Sequence, residues 1–114
     1  MALRIKRIYD EPSETDGKRV LVDRLWPRGV SKQRAALDLW LKDVAPSPGL
    51  REWFGHKPER FKEFGLKYEE ELSKNSAVGQ LRDLISENKQ VTLLYAAKDP
   101  EVNHALVLQK FLER

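Results

Sequence analysis

The sequence predicts a small α/β domain with a mainly parallel central sheet of about four strands flanked by helices. Three observations carry that expectation. The unbroken apolar run Val91–Ala97, set between Lys89-Gln90 and Lys98-Asp99-Pro100, suits a strand buried on both faces, as in parallel sheets. Helical periodicities intervene between most of the strand-like runs, which is how parallel neighbours are connected. A chain of 114 residues is large enough for one core but not for two, so residues 1–114 read as a single domain.

Taken in order, Leu3–Tyr9 alternates Leu3 and Ile5 with Arg4 and Lys6, the period of a half-buried strand. Glu11–Lys18 is polar, carries Pro12 and Gly17, and reads as a loop. Arg19–Leu25 is the second strand, centred on Val20-Leu21-Val22 and stopped by Pro27 and Gly29. Ser31 is placed to cap a short helix through Ala36. Leu37–Val44 fits two patterns. Leu37, Leu39 and Leu41 alternate with Asp38, Trp40 and Lys42 as in a strand, whereas Ala36, Leu39, Trp40 and Asp43 would continue the helix; a third strand is the preferred reading.

Pro46-Ser47-Pro48-Gly49 breaks the chain again. Ser47 then caps a helix with Pro48 in its first turn, Leu50, Trp53 and Phe54 on one face, and Gly55 at its end. A longer helix starts near Pro58. Phe61, Phe64, Tyr68 and Leu72 form its apolar face, with Glu63–Lys67 and Glu70–Lys74 as i,i+4 pairs toward solvent. Asn75-Ser76 opens a further helix with Val78, Leu81, Leu84 and Ile85 inward. After the strand Val91–Ala97, Asp99 is the expected N-cap and Pro100 the first residue of a last helix, whose apolar face is Ala105, Leu108 and Leu112, flanked by Phe111.

Composition narrows the function. With 40% hydrophobic and 34% charged residues the chain is folded rather than disordered. The absence of cysteine rules out disulfides, thiolate metal sites and cysteine nucleophiles. No run reaches transmembrane length, and the start MALRIKRIYD has no apolar core of a signal peptide, so a cytoplasmic protein without a membrane role is expected. The net charge of +3 arises from 21 basic and 18 acidic side chains, a balance that implies only weak, non-specific association with nucleic acid.

Two polar clusters follow apolar strands: Asp23, Arg24, Trp26 and Arg28 after the second, and Lys98, Asp99, Asn103 and His104 after the last. If both strands are central and parallel, the clusters face each other across the crevice where such sheets bind ligands. Arginine offers a planar fork for carboxylate or phosphate, and a helix N-terminus adds free N–H groups. Arg24, Arg28, Lys98, Asp99 and Asn103 are therefore the anion-binding candidates, and Asp23 and His104 the acid–base candidates. Each has a plainer reading as well. Asp23 and Arg24 suit charge pairs that end a strand, Asp99 a helix cap, His104 a half-buried core histidine, and Trp26 and Trp53 core aromatics. His56, after Gly55, reads as a surface or C-cap residue. The histidines lack metal-ligand spacing, and no phosphate loop, nucleophile elbow or zinc signature occurs, so no metal and no cofactor is implied.

The strings LVDRLWPRGVSK, WLKDVAPSP and LLYAAKDPEVNHA resemble the YeaO-like group within a large family of bacterial and archaeal proteins of unknown function, over Ile8 to Leu112. The resemblance implies a small cytoplasmic α/β fold and supplies no established activity. In longer, more distant members the segment similar to Asp99–Ala105 commonly ends in Cys-His-Arg. This chain has Asn103-His104-Ala105, so only the histidine is retained and thiolate chemistry does not carry over. Asp23, Arg24 and Pro27 match the Asp-x-Arg-x-x-Pro pattern in part, because Arg24 follows Asp23 directly. The expected function is binding of a small anionic ligand such as a nucleotide, phosphate ester or carboxylate, with or without enzymatic activity. The alternatives are a nucleic-acid accessory protein using Arg4, Lys6, Arg7, Lys18 and Arg19, and a partner-binding module using Trp40 or Trp53.

Overall fold

Four parallel strands form the sheet of the computed structural model, which describes residues 2–114: β1 (Ala2–Arg7), β2 (Lys18–Leu21), β3 (Leu39–Trp40) and β4 (Gln90–Tyr95), in the order β1-β4-β2-β3. β4 lies inside the sheet, between β1 and β2, as its two-sided apolarity requires. Val91, Leu93 and Tyr95 point into the larger core, and Leu94 points into a smaller one on the opposite face.

The larger core is covered by four helices: α2 (Pro48–Phe54), α3 (Phe61–Ser73), α4 (Ala77–Glu87) and α5 (His104–Leu112). Phe64, Tyr68, Leu72, Leu81, Ala105 and Leu108 are among its buried helical contributors. The smaller core gathers Ile8, Leu21, Val30, Ala35 and Leu94 under Trp26, Leu37 and Trp40, and its only described helix is the single turn α1 (Lys32–Ala35). The radius of gyration, 13.3 Å, is that of a compact domain of this length.

Caps behave as their residue types dictate. Ser31 and Ser47 accept the N–H groups of Arg34 and Leu50, and Gly55 closes α2 in the left-handed conformation at φ 53°. The solvent-side pairs of α3 form, with Lys67 3.4 Å from Glu63 and Lys74 3.7 Å from Glu70. Gly17, at φ 64°, enters β2 where a Cβ would stand 2.1 Å from the carbonyl oxygen of Gln90, so only glycine fits.

Several boundaries differ from the sequence expectation, each for a visible reason. β1 stops at Arg7 rather than Tyr9 because Asp10 N–H turns back to the Arg7 carbonyl. β2 and β4 end early because the Asp23 carboxylate, not a strand, takes the N–H of Ala96 at 3.0 Å. The helix alternative for Leu37–Val44 fails at Ala36, which is left-handed at φ 48°. The strand that replaces it keeps only Leu39 and Trp40 before a 3₁₀ turn over Lys42–Val44. The last helix begins at His104, not Pro100. Asn103 is its N-cap, accepting the Leu106 N–H at 2.9 Å, whereas Asp99 caps a separate turn through the N–H groups of Glu101 and Val102.

Candidate functional site

The crevice follows from topology. The chain leaving β2 crosses to the smaller face, where α1 lies, and the chain leaving its neighbour β4 crosses to the larger face, where α5 lies. Adjacent parallel strands whose exits diverge leave a gap at their carboxyl ends. Here the gap is a cavity of about 490 Å³, lined by Asp23, Arg24 and Leu25 after β2 and by Ala96, Ala97, Lys98 and Asp99 after β4. The loop before α2 adds Ala45 and Pro46, α2 and its end add Arg51, Phe54 and His56, and α3 and α5 add Phe64 and His104.

Asp23 and His104 tie the strand ends together. One carboxylate oxygen of Asp23 takes the Ala96 N–H, and its main-chain carbonyl accepts from Trp40 Nε1 at 2.8 Å. His104 Nε2 lies 3.1 Å from the Val22 carbonyl and 3.2 Å from Asp23 Oδ1. A carbonyl only accepts, so this contact puts the proton on Nε2. Directed at Val22, that N–H leaves Asp23 Oδ1 without a hydrogen bond despite its proximity. Tyr68 packs edge-on to the imidazole, with ring centroids 6.2 Å apart. Burial, with Glu71 and Asp23 nearby, pushes its phenol well above the ordinary range, so it stays neutral and donates to the Val44 carbonyl at 2.6 Å.

Arg24 is in a different condition. Its half-buried guanidinium reaches the carbonyls of Ala45 and Pro46 at 3.2 and 3.4 Å, while its Nε is buried with no partner. The loop that offers those carbonyls is fixed from behind: the Glu71 carboxylate takes both the N–H and the hydroxyl of Ser47, at 2.9 and 2.6 Å. Among the described residues none of Arg24, Arg51 and Lys98 has a carboxylate within ion-pair distance. The cavity's two carboxylates, Asp23 and Asp99, are engaged by main-chain N–H groups. Three cations therefore line it against two carboxylates that form no ion pair with them, an excess of one positive charge.

Of the seven residues singled out in the sequence, Asp23, Arg24, Lys98, Asp99 and His104 meet around this cavity. Asn103 and Arg28 do not line it. The Asn103 side chain is buried and occupied at both ends, as the α5 cap and as a donor to the Asp99 carbonyl at 2.9 Å. Arg28 is exposed, and its carbonyl accepts the Tyr9 hydroxyl. Arg51 and His56 were not expected. They arrive from α2, an element with no strand-end signal; the one local clue is the Gly55-His56 pair, both left-handed, which turns the chain at the end of α2. Among the described residues no group of three or more metal-ligating side chains occurs, and no helix is long and apolar enough to cross a membrane.

The family model described as the inactive DUF488-N3 subclade matches residues 2–114. The chain belongs to that family. It is 42% identical to YeaO of Escherichia coli over 112 residues, 98% of this chain and 97% of YeaO, and YeaO is itself described as uncharacterised. Uncharacterised proteins of Mycobacterium tuberculosis and Mycobacterium bovis are each 44% identical over 110 residues, covering 96% of this chain and 92% of theirs. No solved structure matches. The YeaO-like resemblance seen in the motifs thus extends over almost the whole chain.

Proposed function

We propose that this protein binds a small anionic ligand in the cavity at the carboxyl ends of β2 and β4. The observation that carries this reading is Arg24, a half-buried guanidinium with an unpartnered Nε and no carboxylate, beside two further unpaired cations, Arg51 and Lys98. Charge taken from water without a counter-charge is costly unless a ligand supplies one. Binding, rather than turnover, agrees with the family's description as inactive. It agrees also with His104, whose Nε2 is committed to the main chain instead of being presented to a ligand.

The nucleic-acid reading has less support. Of its five cations, Arg19 is buried on Asp16 and Ala35, and Lys6 and Arg7 are half-buried on Glu11, Asp16 and Ala97, which leaves Arg4 and Lys18 exposed. The partner-binding reading loses Trp40 to Asp23 and Trp26, and Trp53 is half-buried beneath Lys67 and Arg60.

Thermal unfolding in the presence of phosphate esters and carboxylates tests the proposal. Bound anion should raise the unfolding temperature in a concentration-dependent way. Arg24→Met, which keeps the apolar stem and removes the charge, should abolish the response. An unresponsive wild type, or a variant that responds equally, would refute the anion site.

A further inference from the structure

Building on the anion reading above, we infer that the ligand is an amphipathic oxyanion: a carboxylate or phosphate monoester carried on an apolar, ring-sized body. Volume comes first. A cavity of about 490 Å³ lies in the range that holds organic ligands, roughly 300–1,000 Å³. A water's share of liquid is ~30 Å³, so an inorganic anion the size of a few waters would leave most of that space hydrated.

The walls decide what fills the rest. Phe54 and Phe64 both line the cavity and stack on each other, with centroids 4.2 Å apart and planes 19° from parallel. Pro46 and Ala97 continue the apolar surface, and the cations Arg24, Arg51 and Lys98 border it. The lining thus combines apolar surface with three cations against two carboxylates, the complement of an amphipathic anion.

Leu25 adds an independent sign. It lines the same cavity yet is 59% exposed, one of three large apolar side chains left in water among the described residues. A ligand body that covers it recovers apolar area, which an inorganic ion does not. Because it is outside both cores, Leu25 can be changed without disturbing the fold.

Titration calorimetry on the full chain with inorganic phosphate, phenyl phosphate, 1-naphthyl phosphate, 1-naphthoate and uncharged 1-naphthol tests this. Affinity should rise by about tenfold per added ring from phosphate to naphthyl phosphate, as burial of apolar area dictates. Naphthol should bind at least about tenfold more weakly than the charged naphthyl ligands. The stronger of naphthyl phosphate and naphthoate identifies the head group. Leu25→Ser should weaken the naphthyl ligands by about tenfold and leave inorganic phosphate unchanged. Equal affinity for inorganic and aryl phosphates, or no effect of Leu25→Ser on the aryl ligands, overturns the apolar body while the anion site stands. Naphthol binding as tightly as the naphthyl anions overturns the anion site instead, and no binding by any probe overturns both.

Discussion

At the start of β2, the Asp16 carboxylate receives the Arg19 guanidinium at 2.6 Å, the Lys6 ammonium at 3.1 Å and the Ser13 N–H at 2.9 Å. Arg19 Nη2 and Nε donate to the Ala35 carbonyl at 2.8 and 3.1 Å, and the Asp16 carbonyl accepts the Thr92 hydroxyl at 2.7 Å. Past the end of the same strand, Arg24 has two long contacts to carbonyls, a buried Nε with no partner and no carboxylate. Both arginines are withdrawn from water, but only one is answered. A satisfied buried network fixes the fold; an unsatisfied group beside a cavity is the feature on which the proposed anion site rests.

The largest effect should come from breaking the closed end. Asp16→Ala strands the Arg19 charge in a place where only 5% of the residue is exposed, and should cost about 3–5 kcal/mol in urea unfolding. Arg24→Met should stay within about 1 kcal/mol. Similar costs for the two would mean that the two ends of β2 do not differ in this way. The pH profile sharpens it. Burial pushes the Asp16 carboxyl up, but the Ser13 N–H, Lys6 and Arg19 together pull it further down, to a net position below its ordinary value of 3.8. A carboxyl depressed in the folded state contributes stability that is full above the unfolded value and lost as pH falls through the folded one. Wild type should therefore shed this stability on acidification below about pH 3.8, and Asp16→Asn should lack that part of the acid limb.

Next in size is the tie between the two strand ends. His104→Ala removes the donor facing the Val22 carbonyl and opens space beside Tyr68, so it should cost about 1–3 kcal/mol. Loss of ligand binding with unchanged stability would show instead that the imidazole serves the ligand and not the fold.

Much of this architecture was readable from residue order, and the failures share a cause. β4 declared itself because burial on both faces leaves an uninterrupted apolar run, and Ser31, Ser47 and Gly55 declared helix ends through local chemistry. Strand ends did not, because the Asp23 carboxylate takes the Ala96 N–H from 73 positions away. The same limit applies to the cavity. Its strand-end half was legible as polar residues after apolar runs; Arg51, Phe54 and Phe64 are brought there only by packing α2 and α3 over the sheet. The closed network was hidden too, since Asp16 sits in what reads as an ordinary polar loop.

A smaller effect separates two neighbouring caps. Asn103→Ala loses the α5 cap and the tie to the Asp99 carbonyl, and should cost about 1–2 kcal/mol. Asp99→Ala loosens only an exposed turn, so its unfolding midpoint should shift less than that of Asn103→Ala. The reverse order in a denaturant series would return the helix start to Asp99.

The smallest effect is expected at Arg28, and its smallness is informative. Arg28 and Arg51 are both exposed, and either change to alanine lowers the net charge of +3 by one, so general attraction of an anion falls similarly for both. Only Arg51 lines the cavity. Arg51→Ala should therefore weaken anion binding by about 1.5–3 kcal/mol, the range for hydrogen bonds to a charged group, with folding stability unchanged within about 0.5 kcal/mol. Arg28→Ala should leave both quantities where they were. If calorimetry instead finds the two variants equally weakened, the protein attracts anions through its overall charge, and the open end of β2 is no more a site than its closed one.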